Sequence, residues 1–220
     1  MVSRIPNDIF QFSLPSAFDA GLNSSGPQSG QLTGYGSHGI GLFANNGGDL
    51  LFLDSVAWQI GSDCSVKRAD HYTSLPLVQV TRYLPEAELV LDEGSVMGGL
   101  VERMAKAGHG GQNSFMPFRL RGKFASVSVG GSAGRTLEDV EGVMFGLMSP
   151  VWAQGFSVVG ANAVFMTSGK NSLGGRVKAF KTAGACKLDW AVTGRYHLGM
   201  PSGQEWEGLT LGSDGVSGKA

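Results

Sequence analysis

Charge is scarce in this chain. Lysine and arginine total 17, aspartate and glutamate 18, so the net charge is −1 and only 16% of residues are charged. That balance excludes the basic footprint of a nucleic-acid binder and the polybasic stripe that holds a protein to an anionic membrane. Cysteine is scarcer still. Cys64 and Cys186 are far apart and fit neither a CxxC pair nor a zinc ribbon. They are expected as buried free thiols of a reducing compartment, with a single disulfide as the alternative. No apolar run approaches the roughly 20 residues of a spanning helix. The opening "MVSRIPNDIFQFSLPSAF" lacks the continuous apolar segment of a signal peptide. The expectation is a soluble cytoplasmic protein whose partner is a small neutral or mildly anionic molecule, not a nucleic acid or a membrane.

Glycine is what the chain has in excess, 35 of 220 residues, in short groups such as "GYGSHGIG", "NNGGD" and "VGGSAG" that punctuate apolar runs. Glycine supplies the positive φ of tight hairpin turns, so the chain reads as β-rich with few helices. "GIGLFANNGGDLLFLDSVAWQI" predicts a hairpin at "NNGG" and a second turn at Asp54-Ser55, together a three-stranded meander. "IFQFSLPSAFDAGL" predicts a strand and then a helix from Ser16, and "LPLVQVTRYL" another strand. "GSVMGGLVERMAKAG" has helical apolar spacing with Gly108 as a stop. "FMPFRLRGKFASVSVGG" reads as two strands around Arg121-Gly122. "TLEDVEGVMF" reads as a short helix, because acids follow Thr136 in its first turn. "VVGANAVFMTSGKNSLGGRVKAF", residues 158–180, reads as strand, turn and strand. The sum is an α+β fold of two mixed or antiparallel sheets with a few short helices. Its halves are expected at 1–123 and 124–220, or as one compact unit, and a homodimer would cover a sheet edge.

In this order the segments resemble the α-acetolactate decarboxylase family. "LTGYGSHGIGLFANNGGDLLFLDSVAWQIGSDCSVKRAD" is similar to that family's "HGDFGIGTF…DGEL…LDG…YQ…DG" block. "MFGLMSPVWAQGFSVVGANAVF" resembles its "GTLVGFRTPxYxxGxNVPGYHxHF", and "NSLGGRVKAF" its "SGGHVLDF". The resemblance implies that fold. It also implies a zinc site of three histidines, two at i and i+2 on one strand and a third across a hairpin. Carried over by position, those histidines fall on Asn162, Val164 and Arg176. Valine ligates nothing, the amide oxygen is a poor zinc ligand, and a guanidinium repels a cation. The family's glutamate falls on Asp49, its threonine on Leu42, and its substrate-orienting arginine near Gly130, where Arg135 is the substitute. No metal and no cofactor are therefore expected.

The altered site is expected to work through ordinary side chains. Arg176 offers planar donors to a developing enolate, with solvent beside Lys178 as its other possible destination. Asp49 is the natural general base if it faces a cavity walled by Leu42, Val164 and Phe165. Asn162 and His38 complete the candidate catalytic set. Tyr196, His197 and Glu205, the last on an extended tail with Glu207, are candidate substrate contacts with Arg135. The expected function is a metal-independent enzyme of specialised metabolism. It would act on an enolisable keto or β-keto compound by decarboxylation, isomerisation or cyclisation. A non-catalytic binding or scaffold protein is the alternative, and a zinc decarboxylase with relocated ligands a further one.

Overall fold

A computed structural model describes residues 5–130 and 134–211. Alternating and fully apolar runs, separated by turn residues, build two sheets. The first contains β1 (Ile9–Phe12), β2 (His38–Leu42), β3 (Asp49–Leu53), β4 (Val56–Ile60), β5 (Val66–Arg68), β6 (Leu77–Thr81) and β13 (Tyr196–Gly199). Its order is β13-β1-β6-β2-β3-β4-β5, and only the β13–β1 pair is parallel. The "NNGG" turn joins β2 to β3 as expected, with Asn45 and Asn46 both at positive φ (55° and 59°). Asparagine tolerates that conformation better than other side chains, and the turn sets the register in which Leu42 faces Asp49.

The second sheet contains β7 (Ala87–Leu91), β8 (Met116–Val129), β9 (Arg135–Ser149), β10 (Gly160–Thr167), β11 (Gly174–Thr182) and β12 (Cys186–Trp190), in the order β11-β10-β9-β8-β12-β7. β11 also pairs with β8, which closes β8 to β11 into a ring. The ring is filled by side chains, with Phe124 edge-on to both Phe165 and Phe180. Among the described residues three α-helices accompany the sheets: α1 (Pro15–Asp19), α2 (Leu100–Lys106) and α3 (Gln204–Glu207). Among the described residues no helix is long and apolar enough to cross a membrane. Cys64 and Cys186 are buried free thiols.

Four expectations are corrected here. Residues 116–129 form one strand, not two. Gly122 stays within the strand at a positive φ of 149°, and a Cβ there would sit 2.7 Å from the Cys186 sulfur, so the neighbouring strand β12 packs against bare backbone. Residues 136–145 are strand, not helix. The partner β8 offers them a long edge from Arg135 opposite Val129 to Met148 opposite Met116, interrupted at Asp139, which sits at φ 48°, and that pairing overrides a local capping signal. The boundary at 123/124 falls inside β8. The first sheet instead takes β1 to β6 and β13, and the second β7 to β12. Glu205 and Glu207 lie on the one-turn helix α3, not on an extended tail.

The two sheets meet through Ile40, Leu51, Leu53, Ile60, Tyr83, Phe145 and Val164. Each such side chain stabilises the junction by about 1.5–3 kcal/mol on burial. The candidate site sits at one margin of this junction.

Candidate functional site

The β10–β11 hairpin places Val164 opposite Arg176. Asn162 and Val164 are two apart on β10 and share a face. Gly174 opens β11, and a Cβ there would lie 2.2 Å from the Phe165 carbonyl oxygen, so the two strands approach as closely as they do only without a side chain. From the facing sheet, Asp49 at the start of β3 reaches the hairpin. Its Oδ2 accepts the Arg176 main-chain N–H at 3.0 Å, and its Oδ1 accepts Nε at 3.1 Å. Nη2 also lies 3.1 Å from Oδ1 and donates to the Gly41 carbonyl at 3.5 Å. Nη1 donates to the Asn162 side-chain oxygen.

The guanidinium therefore bridges the sheets and turns inward. Lys178, with the same strand parity, is exposed, because a register shift between Val177 and Ala179 separates the two. The Asp49 side chain is 17% exposed and that of Arg176 31%. At this burial the pair is more than a surface ion pair, yet each charge also needs the other to offset its lost hydration.

Two cavities flank the pair. A cleft of about 350 Å³ is lined by Asp49, Leu42, Phe18, Phe43, Asn46, Ile60, Ser62, Cys64 and the glycines 48, 61, 130, 174 and 175. On the other side a pocket of about 20 Å³, room for one water, is lined by Arg176 and Asn162 with Gln11, Gln79, Ile40, Gly41 and Val158 among others. The structure thus brings Asp49, Arg176, Asn162 and Leu42 together.

The remaining expected residues go elsewhere. Val164 is buried in the junction between the sheets and Phe165 inside the ring, so neither lines the cleft with Asp49. His38 is buried against Tyr83 and Phe145, with ring centroids 5.1 Å from each. Its Nδ1 is 3.0 Å from the Ser37 hydroxyl, and Nε2 is 3.3 Å from an Asp54 oxygen without hydrogen-bond geometry. Burial pushes its pKa down to about 4, with Arg119 pushing the same way against Asp54 and Asp189. It is a neutral packing residue that lines neither cavity. Arg135 begins β9, exposed, and Glu205 is exposed on α3. His197 is half-exposed, 3.5 Å from the buried Asp8 carboxylate.

Tyr196 joins a network that sequence reasoning missed. Its hydroxyl donates to Gln11 Oε1, and Gln79 Nε2 donates to Gln11 Oε1 (2.8 Å), Ser157 Oγ (3.1 Å) and Tyr196 (2.8 Å). Burial pushes the Tyr196 hydroxyl up to about 12, against the hydrogen bonds from Ser157 and Gln79. The signal was present: "IFQF" and "LVQVT" each set one amide amid apolar residues, and a buried amide requires partners. A second missed cluster is the buried Asp189 with Arg119, the half-exposed Arg121 and Tyr83; the Tyr83 hydroxyl donates to Asp189 at 2.6 Å.

A divalent cation does not fit the donor set at the hairpin. Of the positions that correspond to the three histidines, Val164 has no lone pair, Asn162 has its oxygen engaged by Nη1, and Arg176 already places a positive charge between Asn162 and Asp49. Among the described residues no three His, Cys, Asp or Glu side chains gather elsewhere as a metal cluster.

Comparison with known proteins adds an independent line. The family model described as alpha-acetolactate decarboxylase matches residues 9–131, more than half the chain, and stops before β10 and β11. Alpha-acetolactate decarboxylases of Lactococcus lactis subsp. cremoris (strain MG1363) and subsp. lactis (strain IL1403) are each 26% identical over 189 residues, 78% of this chain and 79% of theirs. The solved alpha-acetolactate decarboxylase of Bacillus subtilis strain 168 superposes with a TM-score of 0.84 at 20% identity, over 93% of both chains. A Staphylococcus aureus protein of unknown function, similar to alpha-acetolactate decarboxylase, does so with 0.80 at 16% identity, over 89% and 90%. These structural likenesses establish the two-sheet α+β fold.

Proposed function

We propose, from the premise that this chain belongs to the alpha-acetolactate decarboxylase family, that it acts on an enolisable keto or β-keto small molecule without a divalent metal. The observation that carries this reading is the Arg176 guanidinium, held by Asp49 and Asn162 at the hairpin where the family resemblance locates metal ligands. The relatives' name describes loss of CO₂ from acetolactate. Decarboxylation beside a ketone and removal of an α-proton share one feature. The electron pair of the breaking C–C or C–H bond ends on the carbonyl oxygen as an enolate.

Arg176 lines the small pocket rather than the cleft, so it supports that oxygen through its permanent charge behind Asp49 and not through a direct hydrogen bond. Asp49, on the cleft wall beside it, takes the proton from carbon or returns it. Asn162 fixes the plane of the guanidinium through Nη1 and has no proton to exchange. Decarboxylation, isomerisation and cyclisation all run through this enolate, and the role in specialised metabolism belongs to the same proposal. A non-catalytic ligand-binding protein is the second reading, favoured by the neutralisation of Asp49 and Arg176 by each other.

The test follows deuterium incorporation at the α-carbon and CO₂ release by NMR across a panel of β-keto compounds, using chelator-treated chain of measured metal content. Asp49→Asn and Arg176→Gln are each expected to lower the rate by roughly 100-fold or more. Stoichiometric zinc required for turnover would refute metal independence. Unchanged rates in both variants would refute their roles.

A further inference from the structure

We infer that the ligand of the 350 Å³ cleft is an uncharged, largely apolar ketone rather than a keto acid. The inference rests on the cleft reading above and narrows it: an uncharged ketone has no carboxylate to lose as CO₂, so of the three reactions only isomerisation and cyclisation remain. Among the described residues that line the cleft, Asp49 alone carries a charge. Both of its oxygens are engaged by Arg176, Oδ1 by the guanidinium and Oδ2 by the main-chain N–H. The polar groups that remain on the wall, Asn46, Ser62 and the Cys64 thiol, are neutral donors.

Two further acids stand in the segments that form the wall. Asp19 directly follows Phe18, and Asp63 lies between Ser62 and Cys64; both are exposed. The Asp63 carboxyl is held below the usual carboxylate range by hydrogen bonds from the Ser65 hydroxyl and main-chain N–H, so it is ionised at neutral pH. A carboxylate ligand would therefore enter past acids and meet no unpaired cation. To find one it would have to take Arg176 from Asp49 and leave that carboxylate unpaired at a largely buried position. A ketone avoids this cost. Its oxygen accepts from a neutral donor of the wall, the Asn46 amide or the Ser62 hydroxyl, and its apolar body lies against Phe18, Leu42, Phe43 and the bare backbone of Gly174 and Gly175.

The experiment is isothermal titration of the full chain at neutral pH with two probes of matched shape, 2-acetyl-1-naphthol (neutral) and 1-hydroxy-2-naphthoate (anionic). The neutral probe is expected to bind at least about tenfold more tightly. Leu42→Trp, which fills the cleft from its wall, is expected to weaken that binding by a similar factor. Ser62→Trp, at an exposed wall position, repeats the test should the first variant unfold. Equal or tighter binding of the anion, no detectable heat from either probe at millimolar concentration, or neutral binding untouched by both tryptophans would each overturn the inference. Turnover is not read, so a chain that binds the ketone and converts nothing sinks the catalytic reading and leaves this one standing.

Discussion

Acid is the perturbation that reports on His38. In the folded chain this imidazole is 4% exposed, packed between the Tyr83 and Phe145 rings, and burial lowers its pKa from 6.5 to about 4. The unfolded chain takes up a proton near 6.5, and the folded chain resists it until about 4. Between those values the unfolded state binds more protons, so stability falls as pH falls. The contribution is full above about pH 6.5, is lost progressively down to about pH 4, and is flat below. A gap of about 2.5 pH units at about 1.4 kcal/mol each gives roughly 3 kcal/mol, a large share of the 5–15 kcal/mol typical of a folded chain. The assay is urea unfolding of the wild type and of His38→Phe at several pH values between about 7.5 and 4. Phenylalanine keeps a ring between Tyr83 and Phe145 but has no proton to bind. The wild type should lose about 3 kcal/mol relative to the variant across the window. A difference that stays constant with pH, or a His38 that titrates near 6.5 by NMR, would refute the reasoning.

The ion pair and the hairpin give two more expectations. Arg176→Met leaves Asp49 as an unpaired, 17%-exposed carboxylate and should cost about 1–3 kcal/mol. Adding Asp49→Asn should restore most of the loss, and denaturant unfolding of the single and double variants reads the coupling. Gly174→Ala places a methyl 2.2 Å from the Phe165 carbonyl oxygen, a backbone atom that has no rotamer to move. It should cost about 1–3 kcal/mol, read as a lowered unfolding temperature; an unchanged temperature would mean that β10 and β11 are not packed as closely as described.

What was legible in the sequence was whatever local chemistry decides. The "NNGG" hairpin, the 158–180 hairpin and α2 are all set by turn residues or apolar spacing within a dozen residues. What was not legible depends on a distant neighbour. Gly122 looks like a turn until Cys186 is seen to fill the place of its Cβ. Residues 136–145 carry helix signals that lose to a long partner strand and to the closing of the ring by β11 and β8. At the site, the residue types were readable and their directions were not. Arg176 and Lys178 have equal parity, and only the register shift after Val177 sends one inward and leaves the other in solvent. Asp49 and Asn162 converge because two sheets pack, which no single segment encodes.

That packing also bears on what an arginine does in the place of an ion. A metal with two open positions can chelate a hydroxyl and a carbonyl of one substrate together. The guanidinium is planar, and each of its nitrogens already has a partner: Nε and Nη2 on Asp49, Nη2 also toward Gly41, Nη1 on Asn162. What it has left is the second N–H of Nη1, and Arg176 lines the small pocket beside Asn162 rather than the cleft, so a cleft ligand meets its charge and no chelating grip. A site of that kind does not need an α-hydroxy group to grip its substrate. It needs a carbonyl, and it needs the rest of the molecule to bind through apolar contact. The wall of Phe18, Leu42, Phe43 and Ile60 is suited to supply that contact. On the proposed reading, the residues at the hairpin and the apolar cleft belong to one change, with binding energy drawn from burial along the cleft.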